Sequence, residues 1–201
     1  MAHSWRSHLA LPSCSSRAFQ RCSTAASLAL MVAFAPAARA QAAAAPQHAH
    51  VHGAARLGVV VEGDTVSITF ESPLASLIGF EHRPKTPAQQ AAVVALQARM
   101  QAGKDLFGFN AGANCGLTKA DPESAIFQPA PASTAVEVHA DLDAIFEFRC
   151  ARPERLTQLD IGLFAAYPRL QRLEVEVVTE KGQFKRDLRP PARIVPLRRS
   201  P

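Results

Sequence analysis

The sequence predicts a single α+β domain: a mostly antiparallel β-sheet, one main amphipathic helix packed on it, and one disulfide. Three observations support this fold class. Apolar and polar residues alternate through several short segments, as they do in strands with one buried face. One longer segment has helical spacing instead. A secretory signal precedes the domain and leaves a single pair of cysteines in the mature chain.

The first 40 residues have the three parts of a secretory signal peptide. Arginines precede the apolar run Ala25 to Phe34, and Ala38-Arg39-Ala40 supplies the small-x-small cleavage pattern. The run is too short to span a bilayer, which takes about 20 residues. We expect cleavage after Ala40, a periplasmic location, and no membrane contact afterwards. The mature chain then divides into a flexible histidine-containing leader (41–53), the domain (54–197) and a disordered tail (198–201).

The net charge of the mature chain excludes one class of partner. The full sequence has 22 basic and 17 acidic residues, but residues 1–40 contain four arginines and no acid. The mature chain therefore has 18 basic against 17 acidic residues. Nucleic-acid binding needs clustered basic charge, so we expect no nucleic-acid partner.

Two alternating segments at the start of the domain predict a β-hairpin with one apolar face. The first runs from Ala55 to Val61 and the second from Val66 to Phe70. Between them, Glu62-Gly63-Asp64 is a tight-turn signal, and Pro73 ends the second strand.

A helix is predicted from Pro87 to Gly103, after the short apolar segment Leu74 to Phe80. Thr86 is a good N-cap, and proline is favoured at the first helical position. The helical stripe that faces the sheet consists of Val93, Leu96 and Met100. We expect Leu106, Phe107 and Phe109 to complete this cover.

The segment Val136 to Cys150 (VEVHADLDAIFEFRC) predicts a long central strand, reached through the proline-containing linker Gln128 to Thr134. Its apolar residues share one parity and its polar residues the other, with Ile145 as the exception. Shorter strands are predicted at Cys115 to Thr118, Ser124 to Phe127, Leu159 to Leu163, Leu173 to Val177, Phe184 to Leu188 and Ile194 to Leu197. A helical turn is predicted at Pro153 to Leu156 and a connection at Phe164 to Pro168.

Cys115 and Cys150 are the cysteines that remain after signal cleavage. A lone pair of cysteines in an oxidising compartment favours a disulfide. The alternative is two thiols that act as metal ligands or as a redox pair, although the sequence has no C-x-x-C motif.

No catalytic motif is present, so we do not expect an enzyme. The sequence has no P-loop, G-x-G-x-x-G or G-x-S-x-G. Asp141 and Asp143 share a strand face, but exposed strand residues commonly do so, and Ser124 and Ser133 have no nucleophile context.

Histidines supply the candidate metal ligands. His48, His50 and His52 stand at alternate positions, and in an extended chain they project from one face. His82 follows Glu81, while His139 lies two residues from both Glu137 and Asp141. Imidazole with carboxylate suits zinc. The alternative is a flexible leader that binds metal weakly, with the other two histidines as ordinary surface residues.

Several segments together resemble the ZrgA-like periplasmic proteins. They are HVHGAARLGVVVEGD, FESPLASLIGFEHRPKT, NCGLT, EVHADLDAIFEFRCA, LDIGLFAAYP and LEVEVVTEKGQ, and the resemblance covers residues 48–197. It implies a periplasmic zinc-binding protein linked to zinc acquisition. The implied metal residues are His50, His52, Glu81, His82 and His139, and Cys115 and Cys150 are the implied pair.

The chain departs from this family at one place. Many members carry a long loop rich in histidine and aspartate before the central strand, whereas Gln128 to Thr134 contains no histidine. A multi-ion reservoir in that loop is therefore not expected here.

We predict an exported zinc-binding protein that buffers zinc or assists its acquisition through His50, His52, His82 and His139. Its expected partners are the metal ion and a component of a zinc uptake system. Residues in supporting positions are His48, Glu81, Glu137 and Asp141. The alternative is a metal-free interaction module of the cell envelope whose polar sheet face docks a partner.

Overall fold

Nine strands and three α-helices are found in residues 51–103, 105–129 and 140–197, the part of the chain that this computed structural model describes. In chain order they are β1 (Ala54–Glu62), β2 (Thr65–Pro73), α1 (Leu74–Ile78), α2 (Pro87–Ala102), β3 (Phe107–Phe109), β4 (Cys115–Glu123), β5 (Asp141–Cys150), β6 (Gln158–Ile161), α3 (Leu163–Ala166), β7 (Arg172–Thr179), β8 (Gly182–Leu188) and β9 (Ile194–Pro196). None of these helices is long and apolar enough to cross a membrane.

The strands form two sheets. The larger has six strands in the order β4-β5-β2-β1-β7-β8, and the smaller has three in the order β3-β6-β9. Neighbouring strands are antiparallel except for β1 and β7, which pair in parallel from Ala54↔Arg172 to Val61↔Thr179. The predicted fold class, a mostly antiparallel sheet with few helices, is therefore confirmed.

One face of the large sheet is buried and the other is exposed. On β5 the buried parity includes Leu142, Ala144, Phe146 and Phe148, while Ile145 points outward and is 43% exposed. The smaller sheet packs against the buried face through aromatic rings: Phe107 lies edge-to-face on Phe146, with ring centroids 5.0 Å apart. The alternation in the sequence thus reports which face is in the core.

Helix α2 begins and ends as its sequence predicts. The Thr86 hydroxyl accepts a hydrogen bond from the Gln89 N–H at 3.2 Å, and Pro87 occupies the first turn. Gly103 ends the helix in the left-handed region, with φ of 59°. The three buried residues of α2 are the predicted Val93, Leu96 and Met100.

The predicted disulfide between Cys115 and Cys150 is present. The two residues lie directly opposite each other on β4 and β5, and their Cα atoms are 3.8 Å apart. The Cys150 N–H also donates to the Asp64 carbonyl at 2.8 Å. A covalent bond and this hydrogen bond together fix the C-terminal end of β5.

The structure corrects several predicted elements. Ser124 to Phe127 is a turn and not a strand, because the Phe127 N–H bonds to the Ser124 carbonyl. Leu106, Phe107 and Phe109 pack against the core as predicted, and Phe107–Phe109 also forms a strand of the small sheet. β4 extends beyond Thr118 to Glu123. The strand predicted to reach Leu163 ends at Ile161, and α3 occupies most of the predicted connection.

Other predictions fall outside the described residues. These are the signal peptide (1–40), the leader up to residue 50 with His48 and His50, the segment 130–139 with Glu137, His139 and the start of the predicted long strand, and the tail 198–201.

Candidate metal site

His52 lies in a hydrogen-bonded turn at the start of β1. The Ala54 N–H bonds back to the Val51 carbonyl at 3.0 Å. The next residue, Gly53, has φ of 78°, a conformation that glycine adopts without a steric cost. Its carbonyl accepts two hydrogen bonds, from the N–H groups of Gln171 (2.7 Å) and Arg172 (2.9 Å). The backbone beside His52 is therefore fixed to the chain that enters β7.

Ser76 on helix α1 holds the same turn from the other side. Its side chain is buried, at 1% exposure. The hydroxyl accepts a hydrogen bond from the Gly53 N–H at 2.9 Å and donates to the Ala54 carbonyl at 3.4 Å. We did not identify Ser76 from the sequence. The sequence feature that could have identified it is a lone hydroxyl inside the apolar segment Leu74 to Phe80.

Gly79 turns the chain from α1 toward Glu81 and His82. It caps α1 in the left-handed region with φ of 88°, and its N–H donates to the Ala75 carbonyl. A Cβ at this position would stand only 3.0 Å from Nε of Arg169. Both the backbone angle and the close approach of this side chain therefore favour glycine.

The structure brings His52 and Glu81 together. His52 Nε2 lies 3.4 Å from Glu81 Oε1, although the two residues are far apart in the sequence. The His52 side chain is 73% exposed, whereas that of Glu81 is 13% exposed. The pair thus has a nearly buried carboxylate beneath an accessible imidazole.

The backbone of Glu81 also receives the chain that enters β5. Its carbonyl accepts a hydrogen bond from the Ala140 N–H at 3.0 Å, and the Ala140 carbonyl accepts one from the Leu74 N–H at 3.3 Å. His139 immediately precedes Ala140 in the sequence. Two separate parts of the chain, at His52 and at Ala140, therefore meet at Glu81.

His82 has a defined hydrogen bond at one ring nitrogen. Its Nδ1 lies 2.8 Å from the carbonyl oxygen of Arg83. Because a carbonyl can only accept, this contact favours a proton on Nδ1 and leaves the lone pair on Nε2. The Phe80 ring stacks on the imidazole, with centroids 5.2 Å apart. This contact therefore favours the tautomer that a metal ligand through Nε2 requires.

The exposed face of the large sheet carries a row of carboxylates that crosses β5, the strand that begins at Asp141. Glu71, Asp143 and Glu123 are direct neighbours across β2, β5 and β4. Partial burial, followed by repulsion from Glu71, Asp141 and Glu123, raises the pKa of Asp143 above its ordinary value. The ionised form of Asp143 is therefore disfavoured in this part of the sheet.

The geometry fits two of the ligands of a zinc ion. Two ligands with bonds of about 2.0–2.1 Å at a tetrahedral angle are about 3.3–3.4 Å apart. The separation of His52 Nε2 and Glu81 Oε1 has this value. Within residues 51–103, 105–129 and 140–197, no group of three or more His, Cys, Asp or Glu side chains is gathered for a metal. Cys115 and Cys150 are bonded to each other and are not ligands.

Comparison with known protein families identifies the family of this chain. A family model described as "ZrgA family zinc uptake protein" matches residues 49–197, which is well over half of the chain. No curated protein matches this chain. The matched region includes His52, Glu81 and His82.

Proposed function

The chain belongs to the ZrgA family of zinc uptake proteins, and we propose that it is an exported periplasmic protein that binds zinc and passes it to an uptake system. Zinc is the cargo of this protein. We propose that its ligands are His52 and Glu81, which are in contact in the structure, together with His82, which is not gathered with that pair before zinc binds, and His50 and His139. The last two lie outside the described residues.

The contact between His52 and Glu81 is the observation that supports this proposal most directly. Its 3.4 Å separation suits neighbouring zinc ligands. Both residues are attached to fixed backbone: Ser76 bonds to the turn that follows His52, and the Glu81 carbonyl bonds to Ala140. The backbone of these two ligands is therefore fixed before the metal arrives, whereas His82 has to move to reach the same ion.

The exposure of the two side chains suits a protein that releases its metal. Glu81 is largely shielded from water, whereas His52 is 73% exposed. A competing ligand from a partner can reach the metal from the side of His52. We therefore propose that zinc leaves by exchange of the histidine ligands, with the Glu81 carboxylate displaced last.

Zinc titration calorimetry of the untagged protein tests the proposal. We expect about one zinc per chain and a clear loss of affinity in Glu81→Gln. Glu176→Gln is a matched control, because Glu176 is an exposed strand residue that pairs with Lys185 at 3.1 Å. An unchanged dissociation constant in Glu81→Gln would exclude Glu81 as a ligand.

Two double variants locate the metal. His50→Ala/His52→Ala and His82→Ala/His139→Ala should each weaken binding. Loss in the first variant, with unchanged binding in both the second variant and Glu81→Gln, would place zinc on the leader, without a folded site. Loss in neither would contradict the zinc proposal. In the parent, affinity should fall from about pH 7 to pH 5.5, because protons compete for the imidazoles.

Export has its own test. The apolar run and the Ala38-Arg39-Ala40 pattern lead us to propose that the mature protein begins at Gln41. The intact mass of protein from a periplasmic fraction should correspond to residues 41–201 with the disulfide closed. A soluble species that retains residues 1–40 would contradict cleavage at this site.

A second candidate function is an interaction module, and the charge of the exposed sheet face favours it. Within the described strands this face carries ten carboxylates and five cationic groups. The carboxylates are Glu62, Glu71, Asp121, Glu123, Asp141, Asp143, Glu147, Glu174, Glu176 and Asp187, and the cations are Arg56, Lys119, Arg149, Arg172 and Lys185. Such a face suits a partner with clustered lysine and arginine side chains.

The two candidate functions predict different results for the same variants. Glu71→Lys/Asp143→Lys should abolish docking of a basic partner protein, whereas Glu81→Gln should leave docking intact. If zinc binding is absent and the charge reversal removes the effect of the protein on growth at low zinc, the interaction module is the better explanation.

A further inference from the structure

Arg83 connects the candidate site to the turn at residues 124–128. Its Nη1 donates to the Gln128 carbonyl at 2.8 Å, and its Nη2 donates to the Ala125 carbonyl at 3.2 Å. Within the described residues, this guanidinium makes no ion pair with a carboxylate. The planar fork of arginine reaches two carbonyls at once, which the single ammonium group of lysine does not reproduce.

The turn that receives Arg83 is itself fixed. The Phe127 N–H bonds to the Ser124 carbonyl at 3.1 Å, and the Ser124 hydroxyl donates to the Asp141 carbonyl at 2.6 Å. Ile126 in the middle of the turn is buried, at 6% exposure. Arg83 is therefore held at its far end by a part of the fold that packs into the core.

This attachment bears directly on His82. The Arg83 carbonyl is the acceptor for Nδ1 of His82 at 2.8 Å, so the position of residue 83 sets both the ring orientation and the tautomer. Phe80 stacks on the same ring. If residue 83 moves, the imidazole loses its acceptor, and Nδ1 and Nε2 then compete for the proton.

We propose that Arg83 is a positioning residue for zinc: it does not touch the metal but holds His82 with Nε2 available for coordination. This inference rests on the proposed function. Residues that orient a metal-binding histidine commonly change affinity by about 10–100-fold when they are replaced. Such an effect is the expected result for Arg83.

The charge of Arg83 makes the test discriminating. A cation near bound zinc repels it, so a purely electrostatic role predicts tighter binding in Arg83→Met and no change in Arg83→Lys. A positioning role predicts weaker binding in both, by about tenfold. Arg149→Met is the matched control, because Arg149 pairs with Asp64 at the other end of β5. It should bind zinc as the parent does.

A double-mutant comparison shows whether Arg83 acts through His82. In a His82→Ala background, Arg83→Lys should cause no further loss of zinc affinity. If the loss is the same with and without His82, Arg83 supports the fold in general and the inference is wrong. If His82→Ala itself binds zinc normally, the proposed ligand set fails instead, so the two failures are distinguishable.

Imidazole ¹H–¹⁵N spectra of the metal-free protein give a readout that does not depend on zinc. In the parent, His82 should be the Nδ1–H tautomer, and in Arg83→Lys it should become a mixture of tautomers. An unchanged Nδ1–H tautomer in a folded Arg83→Lys protein would overturn the inference, whatever the zinc affinity.

Discussion

The two ends of β5 are fixed in different ways. At its C-terminal end, Cys150 is 2% exposed, bonded covalently to Cys115 and hydrogen-bonded to Asp64. At the N-terminal end, the chain enters at Ala140 through hydrogen bonds to Glu81 and Leu74. The C-terminal end is held by a covalent bond, whereas the N-terminal end is held by reversible contacts beside the exposed His52.

This difference separates stability from exchange. A disulfide restricts the unfolded chain, and it therefore stabilises the folded state whether or not a ligand is present. The contacts at the other end contribute less to stability, and they lie beside the contact between His52 and Glu81. The uptake and release of zinc that we propose require a reversible end, and the covalent end keeps the fold intact while the metal exchanges.

The largest expected effect comes from the covalent end. The two cysteines are 35 residues apart in the sequence, and the disulfide closes the loop between them. In Cys115→Ala/Cys150→Ala this loop is open, and the free energy of unfolding should fall by about 3–4 kcal/mol. Urea unfolding monitored by circular dichroism measures this loss. The zinc dissociation constant of the folded variant should stay within about twofold of the parent value. A large change in it would show that the two ends are coupled.

Zinc should have the next largest effect, and it acts at the reversible end. At a free zinc concentration about 100 times the dissociation constant, binding to the folded state should add about 2.7 kcal/mol to the free energy of unfolding. Urea unfolding with buffered zinc measures the gain, which should be lost in His52→Ala/Glu81→Gln. If zinc stabilises this variant as it does the parent, the metal is bound elsewhere.

Most of the fold could be predicted because burial leaves a regular pattern. β1, β2, β5 and β7 each bury one face, so their apolar residues alternate. β3 and β9 have three residues each, too short for alternation to show. Alternation also does not reveal which strands are neighbours, so the parallel pairing of β1 with β7 was not predicted.

The candidate site was predictable in its residue types but not in its contacts. Histidine beside carboxylate pointed to Glu81 and His82. The meeting of His52 with Glu81 depends on Ser76, on the turn at Gly79 and on backbone bonds from β7, which are all tertiary contacts. The wrong prediction of a strand at Ser124 to Phe127 has a similar cause, because Arg83 and Asp141 hold that segment as a turn.

Ser76→Ala should have a smaller effect, confined to the reversible end. The change leaves the Gly53 N–H without its acceptor, which costs about 1–2 kcal/mol in the free energy of unfolding. The turn beside His52 loosens, so zinc should also bind more weakly. Thermal unfolding and zinc titration measure the two effects. Ser67→Ala on the exposed face of β2 is the control and should change neither. A normal zinc affinity in Ser76→Ala would show that this turn does not contribute to zinc binding.

The smallest expected effect concerns the carboxylate row across β2, β5 and β4. Partial burial and the carboxylates of Glu71, Asp141 and Glu123 raise the pKa of Asp143 in the folded protein. The folded state then binds the proton more tightly than the unfolded state does, so ionised Asp143 lowers stability above the folded pKa. This cost disappears as the pH falls through the folded pKa to the unfolded value.

Asp143→Asn should therefore raise the free energy of unfolding at pH 7, by about 0.5 kcal/mol for relief of a like-charge contact between strands. The gain should disappear below about pH 4, where the unfolded carboxyl is also protonated. Urea unfolding of parent and variant at pH 7 and pH 3.5 measures both values. Asp121→Asn is the control, because Asp121 pairs with Lys119 at 3.3 Å and should show no gain. A gain that persists at pH 3.5 would mean that the asparagine itself, and not the removed charge, stabilises the sheet beside the reversible end.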